Sequence, residues 1–263
     1  MMESLSGGGA GILIKYLREE FQRSFMDELV PGILHNFANP LNGIMGRSRL
    51  LQRRLDDSFE KTIPPTGRLI DDFSKIRSDV ELIVRGGDQL FDQFTIVAEK
   101  FQRLNDYREK GINLSEFLER EIAFFQFYLD FKHKVCKQIN LDHDIPEIIG
   151  VPAVYSLGLS AVIRHAILSM ADSEIKQLDV ATSLEGDSVS VVVGNTGCIR
   201  TDERMTALRR AVGVAAYGVS ERQDADILAW AFALLKESNV HIEVEDSGGV
   251  NKIALKIPCR RDQ

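Results

Sequence analysis

Two long stretches of this sequence repeat their apolar residues in alternating steps of four and three. The first consists of Val30, Leu34, Phe37, Leu41, Ile44, Ser48, Leu51 and Leu55. The second consists of Leu69, Phe73, Ile76, Val80, Ile83, Gly87, Leu90, Phe94, Val97, Phe101 and Leu104. Such spacing is typical of helices that pack lengthwise against other helices. Pro64 and Pro65 lie between the two stretches and predict a turn, so we expect an antiparallel helical hairpin.

A single hairpin buries only one stripe of each of its helices. We therefore expect a homodimer, in which two hairpins pair into a four-helix bundle. The alternative is a monomer whose hairpin packs on the domain that follows it. A helix is predicted to begin at Ile12 and to lead into the hairpin, after a flexible N-terminus over residues 1–11 that includes three consecutive glycines.

His35 lies one residue beyond Leu34 and therefore off the apolar stripe, so its imidazole is predicted to face solvent. Other residues follow it on the same face at helical spacing: Asn39, Asn42, Gly46, Arg49 and Arg53. Pro40 lies within the predicted helix and removes a backbone hydrogen bond from the turn that carries His35. An exposed imidazole on a rigid helix can carry a chemical group; the alternative is an incidental surface histidine.

From Gly111 onward the pattern changes to mixed helices and strands. Helices are predicted at residues 114–129, 154–170 and 226–236. Strands are predicted at residues 135–141, 177–184, 188–193, 241–245 and 252–257. The predicted fold class is α+β: a helical hairpin domain over residues 12–110, followed over residues 111–263 by an α/β sandwich whose sheet is mostly antiparallel.

Composition and charge exclude several classes of function. The formal net charge of −7 argues against nucleic acid as a partner, because phosphate backbones favour basic surfaces. Cys136, Cys198 and Cys259 show no metal-ligand spacing, so we expect no metal site and reduced thiols in a cytoplasmic protein. No apolar run is long enough to span a membrane, and Lys15 and Arg18 interrupt any signal-peptide core.

The segment from Leu34 to Leu41 resembles the phosphoacceptor box of the two-component sensor histidine kinase superfamily. In that box the histidine is usually followed by an acidic residue, then by threonine or asparagine, and then by Pro-Leu. His35, Asn39, Pro40 and Leu41 are in register with it, whereas Asn36 replaces the acid. The resemblance implies a dimeric hairpin in which His35 carries a phosphoryl group.

The second half of the chain resembles the ATP-binding domain of the same kinases. Asn113-Leu114 would open its first helix, residues 145–150 would form the turn before its buried helix, and Ile257-Pro258 would end its last strand. The resemblance therefore extends from about residue 29 to residue 258. It implies a nucleotide site between the helices and the sheet.

The residues of this implied nucleotide site depart from the family pattern. His165 replaces an asparagine that helps hold Mg²⁺, an ion that prefers oxygen ligands. In the turn that ends at Gly197, Asn195 replaces the aspartate that accepts the adenine amino group. Residues 218–226 contain three acids where the family has a glycine-rich phosphate loop, and these acids would repel a polyphosphate. We therefore expect a degenerate site that binds no ATP, as in a pseudokinase.

These features favour a histidine phosphotransferase built on a kinase-like scaffold. Asn36 cannot act as the general base that autophosphorylation requires. Exchange between His35 and the aspartyl phosphate of a response-regulator receiver domain is less demanding, because the acyl phosphate is already activated and the receiver brings its own Mg²⁺. Asn39 would orient phosphoryl oxygens or a water, which also allows receiver dephosphorylation.

The same side of the helix is expected to receive the partner. Asn42, Gly46, Arg49 and Arg53 share the stripe of His35 and are the candidate docking residues. Two alternatives to phosphotransfer stay open. One is an active kinase with a divergent nucleotide site, and the other is a non-catalytic dimeric adaptor.

Overall fold

The computed structural model of the protein describes residues 9–25, 29–60, 66–197, 224–247 and 250–259. Three helices come first: α1 (Gly9–Ser24), α2 (Val30–Glu60) and α3 (Thr66–Leu104). The remaining elements are β1 (Lys110–Ile112), α4 (Leu114–Phe125), α5 (Leu129–Lys134), β2 (Cys136–Asn140), β3 (Ile148–Gly150), α6 (Pro152–Ser169), β4 (Gln177–Glu185), β5 (Ser188–Asn195), α7 (Asp224–Glu237), β6 (His241–Ser247) and β7 (Val250–Pro258). Within these described residues, no helix combines the length and the apolar composition needed to span a membrane.

The chain divides into two compact units. Residues 29–98 form the hairpin unit, and the other described residues form the α/β unit. A helical hairpin followed by an α/β domain is the α+β fold class that the sequence predicted. The boundaries differ from the predicted ones, because α1 and the last turn of α3 belong to the α/β unit.

The sheet of the α/β unit contains five strands in the order β2-β4-β5-β7-β6. β2 runs parallel to β4, and the other three neighbouring pairs are antiparallel. The parallel pair is possible because α6 lies in the connection between its strands. Gly186 has a φ of 62° in the two-residue turn between β4 and β5, which confirms the hairpin turn predicted there.

A second, two-stranded sheet was missed by the sequence analysis. β1 pairs with β3 in antiparallel register, with Gly111 opposite Ile149. Strands of three residues are too short to show an alternation of apolar and polar side chains. A Cβ at position 111 would overlap the carboxylate of the exposed Glu147 side chain, which would have to move.

The core of the α/β unit lies between the sheet and its helices. Alternate residues of the strands are buried because successive side chains of a strand point to opposite faces. The buried strand residues are Leu178, Val180, Val189, Val191, Val193, Ile242, Ile253, Leu255 and Ile257. They join one apolar cluster with the buried residues of α4, α6 and α7, such as Leu118, Ile163 and Phe232.

The first helix packs in the α/β unit and does not extend the hairpin, which corrects the predicted domain boundary. Leu13 and Leu17 are buried in the α/β core, and the ring of Tyr16 stacks on Trp230 with 5.0 Å between centroids. Glu20 of α1 accepts a hydrogen bond from Arg164 of α6 at 3.2 Å. The apolar spacing of α1 resembles that of α2, so periodicity alone could not tell which domain it joins.

The hairpin is antiparallel, and we call the line along which its two helices meet the seam. In alternate turns the seam residue lies one position before the residue that the predicted apolar stripe contained. The α2 residues that face α3 are Ile33, Phe37, Pro40, Ile44, Leu51 and Arg54, and the α3 residues that face α2 are Ile76, Asp79, Ile83, Gly86, Leu90, Gln93 and Val97; all are buried or partly buried. The predicted stripes shared Phe37, Ile44 and Leu51 with this seam. They also included Leu34, Leu41 and Ser48, which are exposed.

A second apolar stripe lies one position beyond the seam on each helix. It contains Leu34, Leu41 and Met45 of α2 together with Val80, Val84, Phe91 and Phe94 of α3, all of them exposed. Residues one position after the seam lie on the same side of the hairpin, because antiparallel helices turn in opposite senses when viewed from one end. We call these seven residues the apolar flank. Phe91 and Phe94 are 69% and 60% exposed in the single chain.

The last turn of α3 is anchored in the α/β unit by a buried ion pair. Lys100 and Glu121 are fully buried, and the Lys100 Nζ donates to Glu121 Oε2. It also donates to Ser156 Oγ at 2.8 Å and to Ser160 Oγ. Each serine in turn donates to Glu121 at 2.9 Å, so the hydroxyl protons and the carboxylate are all paired. Burial lowers the pKa of Lys100, and the Glu121 carboxylate opposes that shift.

Replacing Lys100 tests this anchor. Lys100→Met is expected to lower the free energy of unfolding by about 3 kcal/mol, because it removes the buried ammonium partner of Glu121 and leaves the carboxylate with the Arg103 guanidinium, whose Nε donates to Glu121 Oε1 at 3.3 Å. Urea denaturation measures the loss. Lys134→Met is the matched control; its ion pair with Asp130 spans 2.8 Å but is exposed, and it should cost less than about 1 kcal/mol.

The double variant Lys100→Met/Glu121→Met completes the cycle. It should recover part of the loss, because apolar residues of similar volume often replace a buried ion pair without cost. Equal effects of Lys100→Met and Lys134→Met would contradict a stabilising role for the buried pair.

Candidate functional site

His35 lies on the outer surface of α2, in the second turn of the helix. Its side chain is exposed, as its spacing from the apolar stripe predicted. The next residue, Asn36, is 3% exposed and turns toward the seam side of the helix. The imidazole nitrogens are therefore open to a partner, whereas the position that carries an acid in the kinase box is withdrawn from the surface.

The other predicted residues of this face are also exposed. They are Asn39, Asn42, Gly46, Arg49 and Arg53. Each lies two positions beyond a seam residue and hence on the side of α2 opposite to α3. Together with His35 they form one surface, which we call the histidine face. It offers one nucleophile, two amides and two guanidinium groups, a set that can receive an anionic group and orient it.

Pro40 lies on the side of α2 that faces α3, opposite the histidine face. α2 continues through Pro40, which is buried at the seam. Because proline has no N–H, Pro40 donates no hydrogen bond to the preceding turn, which carries His35. A Cβ built on Gly86 of α3 would lie 3.0 Å from Ile44 Cγ1 and 3.6 Å from the Pro40 carbonyl oxygen. Glycine at position 86 thus allows α3 to approach α2 closely behind the phosphoacceptor box.

The structure places Asn195 and Gly197 together at the end of β5. Asn195 is 3% exposed, and its Nδ2 donates to Ser169 Oγ of α6 at 2.8 Å. Gly197 is buried, and its carbonyl oxygen accepts a hydrogen bond from the Asn251 side chain. The Asn195 amide group is thus engaged inside the protein.

His165 lies on α6, partly buried, and next to Arg164. Arg164 forms an ion pair with the Glu20 carboxylate of α1, so the positive charge of Arg164 is balanced. The donor set of Asn195 and His165 does not fit a magnesium nucleotide, because one is a buried amide and the other an imidazole in place of a hard oxygen ligand. Residues 198–223, which include most of the acid-containing segment 218–226, lie outside the described residues.

One group of charged residues was missed by the sequence analysis. Asp79 of α3 is 2% exposed and forms ion pairs with Arg47 and Arg54 of α2 across the hairpin seam. A signal was present, because Asp79 and Arg54 occupy seam positions, and Arg47 follows Ile44 at the same spacing, where the surrounding heptads are apolar. Among the described residues, no group of three or more histidine, cysteine or acidic side chains is arranged to hold a metal ion.

Known proteins were compared with the chain at the levels of sequence and structure. No protein-family model and no curated protein matches it. The histidine kinase AdeS of Acinetobacter baumannii is similar over 86% of this chain and 98% of its own, with 15% identity and a TM-score of 0.45. The histidine kinase ThkA, in complex with the response regulator protein TrrA, is similar over 94% of this chain and 66% of its own, with 16% identity and a TM-score of 0.46.

A structure described as a bacterial phosphotransferase is similar over 86% of this chain and 93% of its own, with 11% identity and a TM-score of 0.41. These likenesses concern the fold.

The close packing at Gly197 gives a testable prediction. Gly197→Ala is expected to lower the free energy of unfolding by about 1–3 kcal/mol, because its Cβ would lie 2.6 Å from the Ser169 carbonyl oxygen and 2.7 Å from Asn195 Nδ2. Thermal or urea denaturation measures this. Gly194→Ala, three residues earlier in β5, is the control, since the nearest neighbour of its Cβ would be at an ordinary 3.6 Å. Similar free energies of unfolding for the two variants would show that the backbone around residue 197 shifts to accommodate a Cβ at little cost.

Proposed function

We propose that this protein is a histidine phosphotransferase of two-component signalling, in which His35 exchanges a phosphoryl group with the aspartate of a response-regulator receiver domain. The observation that carries the proposal is the exposure of His35 within a phosphoacceptor-like box on a helix packed along its other side. In the reaction an imidazole nitrogen attacks phosphorus as the bond to the aspartyl oxygen breaks. The aspartate leaves as a carboxylate, and the imidazole loses a proton to solvent.

The neighbours of His35 fit this exchange. Asn39 is exposed one turn further along α2, where its amide can donate to phosphoryl oxygens or orient a water for receiver dephosphorylation. Arg49 and Arg53 on the same histidine face can dock the acidic surface that surrounds a receiver aspartate. The Mg²⁺ that neutralises the transferring group would come with the receiver.

The proposal assigns no ATP-dependent step to the chain. Three features support this choice: the Asn195 amide is bonded to Ser169, His165 stands where an oxygen ligand is required, and Asn36 cannot accept a proton. Phosphoryl transfer from ATP depends on positioning and on charge neutralisation, and these residues supply neither. The α/β unit is thus a pseudokinase domain within the proposal.

The proposed functional form is a homodimer. The apolar flank exposes seven apolar side chains along one side of the hairpin. They are Leu34, Leu41, Met45, Val80, Val84, Phe91 and Phe94. An apolar stripe of this kind marks an interaction surface. A second copy of the hairpin offers a flank of the same shape, and a two-fold axis would make the contact self-complementary.

A phosphotransfer assay tests the role of His35. Receiver domains labelled with radioactive acetyl phosphate are incubated with wild type, His35→Ala and His133→Ala, the last replacing another exposed histidine. Wild type and His133→Ala should take up acid-labile phosphate, and His35→Ala should remain at background because the nucleophile is gone. Uptake by His35→Ala equal to that of wild type would refute the proposed phosphotransfer.

The same three proteins are incubated with labelled ATP and Mg²⁺ but without a receiver. The proposal expects no label on any of them. Incorporation at His35 would instead identify an active kinase. Absence of label in both assays, together with full cellular function of His35→Ala, would favour the adaptor alternative.

The dimer is tested on the apolar flank. Phe91→Glu/Phe94→Glu is expected to weaken self-association by at least about 100-fold, since losing one buried aromatic contact costs about 3 kcal/mol and 1.4 kcal/mol is a factor of ten. Sedimentation velocity over a range of concentrations measures the effect. Gln89→Glu, an exposed site of α3 on the other side of the seam, should leave the association unchanged. A monomeric wild type at all concentrations would contradict the homodimer.

A further inference from the structure

Asp79 is an acidic residue buried within the hairpin, and its carboxylate is shared by two arginines. Its Oδ1 accepts a hydrogen bond from Arg47 Nη1 at 3.1 Å, and its Oδ2 accepts one from Arg54 Nη1. Arg47 and Arg54 are seven residues apart, about 10.5 Å along the helix axis, so their side chains converge on one carboxylate from either side. We call these three residues the arginine clamp.

The clamp holds its guanidinium groups at the surface. The side chain of Asp79 is 2% exposed, whereas those of Arg47 and Arg54 are 44% and 33% exposed. Breaking a buried ion pair by removing one partner is costly, so the arginines are held in place more firmly than free surface side chains. One carboxylate balances only one of two positive charges, and the clamp therefore keeps a net positive charge.

The clamp belongs to a basic segment in an acidic protein. Residues 46–54 contain Arg47, Arg49, Arg53 and Arg54 and no carboxylate, although the whole chain carries a net charge of −7. Arg49 and Arg53 lie on the histidine face. By helical geometry Arg47 and Arg54 lie at the edge of the seam that is remote from the apolar flank, so a dimer formed through that flank leaves their exposed parts accessible.

We propose that Asp79 is a positioning residue that fixes Arg47 and Arg54 as a docking pair for the acidic, phosphoryl-accepting surface of the receiver domain. This inference rests on the proposed function and specifies how its partner is held. The carboxylates that surround a phosphorylated aspartate and its Mg²⁺ are the groups that guanidinium donors bind in bidentate fashion. Arginines already held by Asp79 lose less conformational entropy when they bind, so the clamp raises affinity by preorganisation.

The inference is tested by receiver binding, measured separately from phosphotransfer. Isothermal titration calorimetry with a receiver activated by beryllium fluoride gives Kd for the full-length protein. Asp79→Asn should raise Kd about tenfold even though it adds to the local positive charge, because the arginines are no longer held together. Asp92→Asn, the same change at an exposed site of α3, should leave Kd unchanged. Asp79→Glu, which keeps the charge, should restore part of the affinity.

A second variant separates docking from folding. Arg47→Lys/Arg54→Lys keeps both charges and the salt bridge to Asp79 but loses the planar guanidinium fork, and it should also raise Kd several-fold while the unfolding temperature stays close to that of wild type. For Asp79→Asn and for Arg47→Lys/Arg54→Lys, the transfer assay should show a raised KM with little change in kcat.

The outcomes of these experiments are distinct. A Kd for Asp79→Asn or for the lysine pair equal to that of wild type would overturn the clamp as a docking device, and so would a wild type that binds no receiver. Receiver binding that depends on Asp79, without any transfer of label to His35, would keep the clamp and refute the proposed phosphotransfer.

Discussion

The lengthwise packing of α2 against α3 determines every functional surface of the hairpin unit. Once residues such as Phe37, Ile44, Ile83 and Leu90 face each other, helical geometry assigns all remaining positions to a side. The histidine face points away from α3, the apolar flank lies to one side of the seam, and the two arginines of the clamp reach the surface at the other edge of the seam. Gly86 allows the close approach that makes this packing possible behind Pro40. The accessibility of His35 is therefore a consequence of seam packing.

The α/β unit is held together by interactions of a different kind. A continuous apolar core fills the space between sheet and helices, and the Lys100–Glu121 pair with its two serines ties the end of α3 into it. At the end of β5 the Asn195 amide donates to Ser169 and the Asn251 amide donates to the Gly197 carbonyl oxygen. Polar groups that are paired internally are not available to a ligand. The pairing of the Asn195 amide with Ser169 is therefore one reason why we propose a receiver, and not ATP, as the source of the phosphoryl group.

Several features could be predicted from the sequence because they depend on local chemistry. Heptad spacing predicted two long helices, and Glu185-Gly186-Asp187 predicted a hairpin turn that the positive φ of Gly186 confirms. The exposure of His35 was predicted from its offset of one residue from Leu34, but in the structure it follows from a position two residues beyond Ile33, because Leu34 is itself exposed. The pairing of β1 with β3 could not be predicted, since three-residue strands carry no periodic signal and their partners are distant in sequence. The packing of α1 on the α/β unit was missed for a similar reason, because an apolar stripe does not name its partner.

The amino-acid sequence by itself determined the helices, the polarity of their faces, the α+β class and the phosphoacceptor-like box, because each depends on residues within a few turns of one another. Only the tertiary structure decided which of two adjacent apolar stripes became the seam. It also decided that Asp79 would meet Arg47 and Arg54. Both outcomes depend on the register between two helices separated by a turn, and a repeat of four and three fits either stripe equally well. The physical reason is that contacts between the two segments select the register. The ion pairs of Asp79 and the close packing at Gly86 differ between the two choices of stripe, whereas the periodic pattern is almost the same for both.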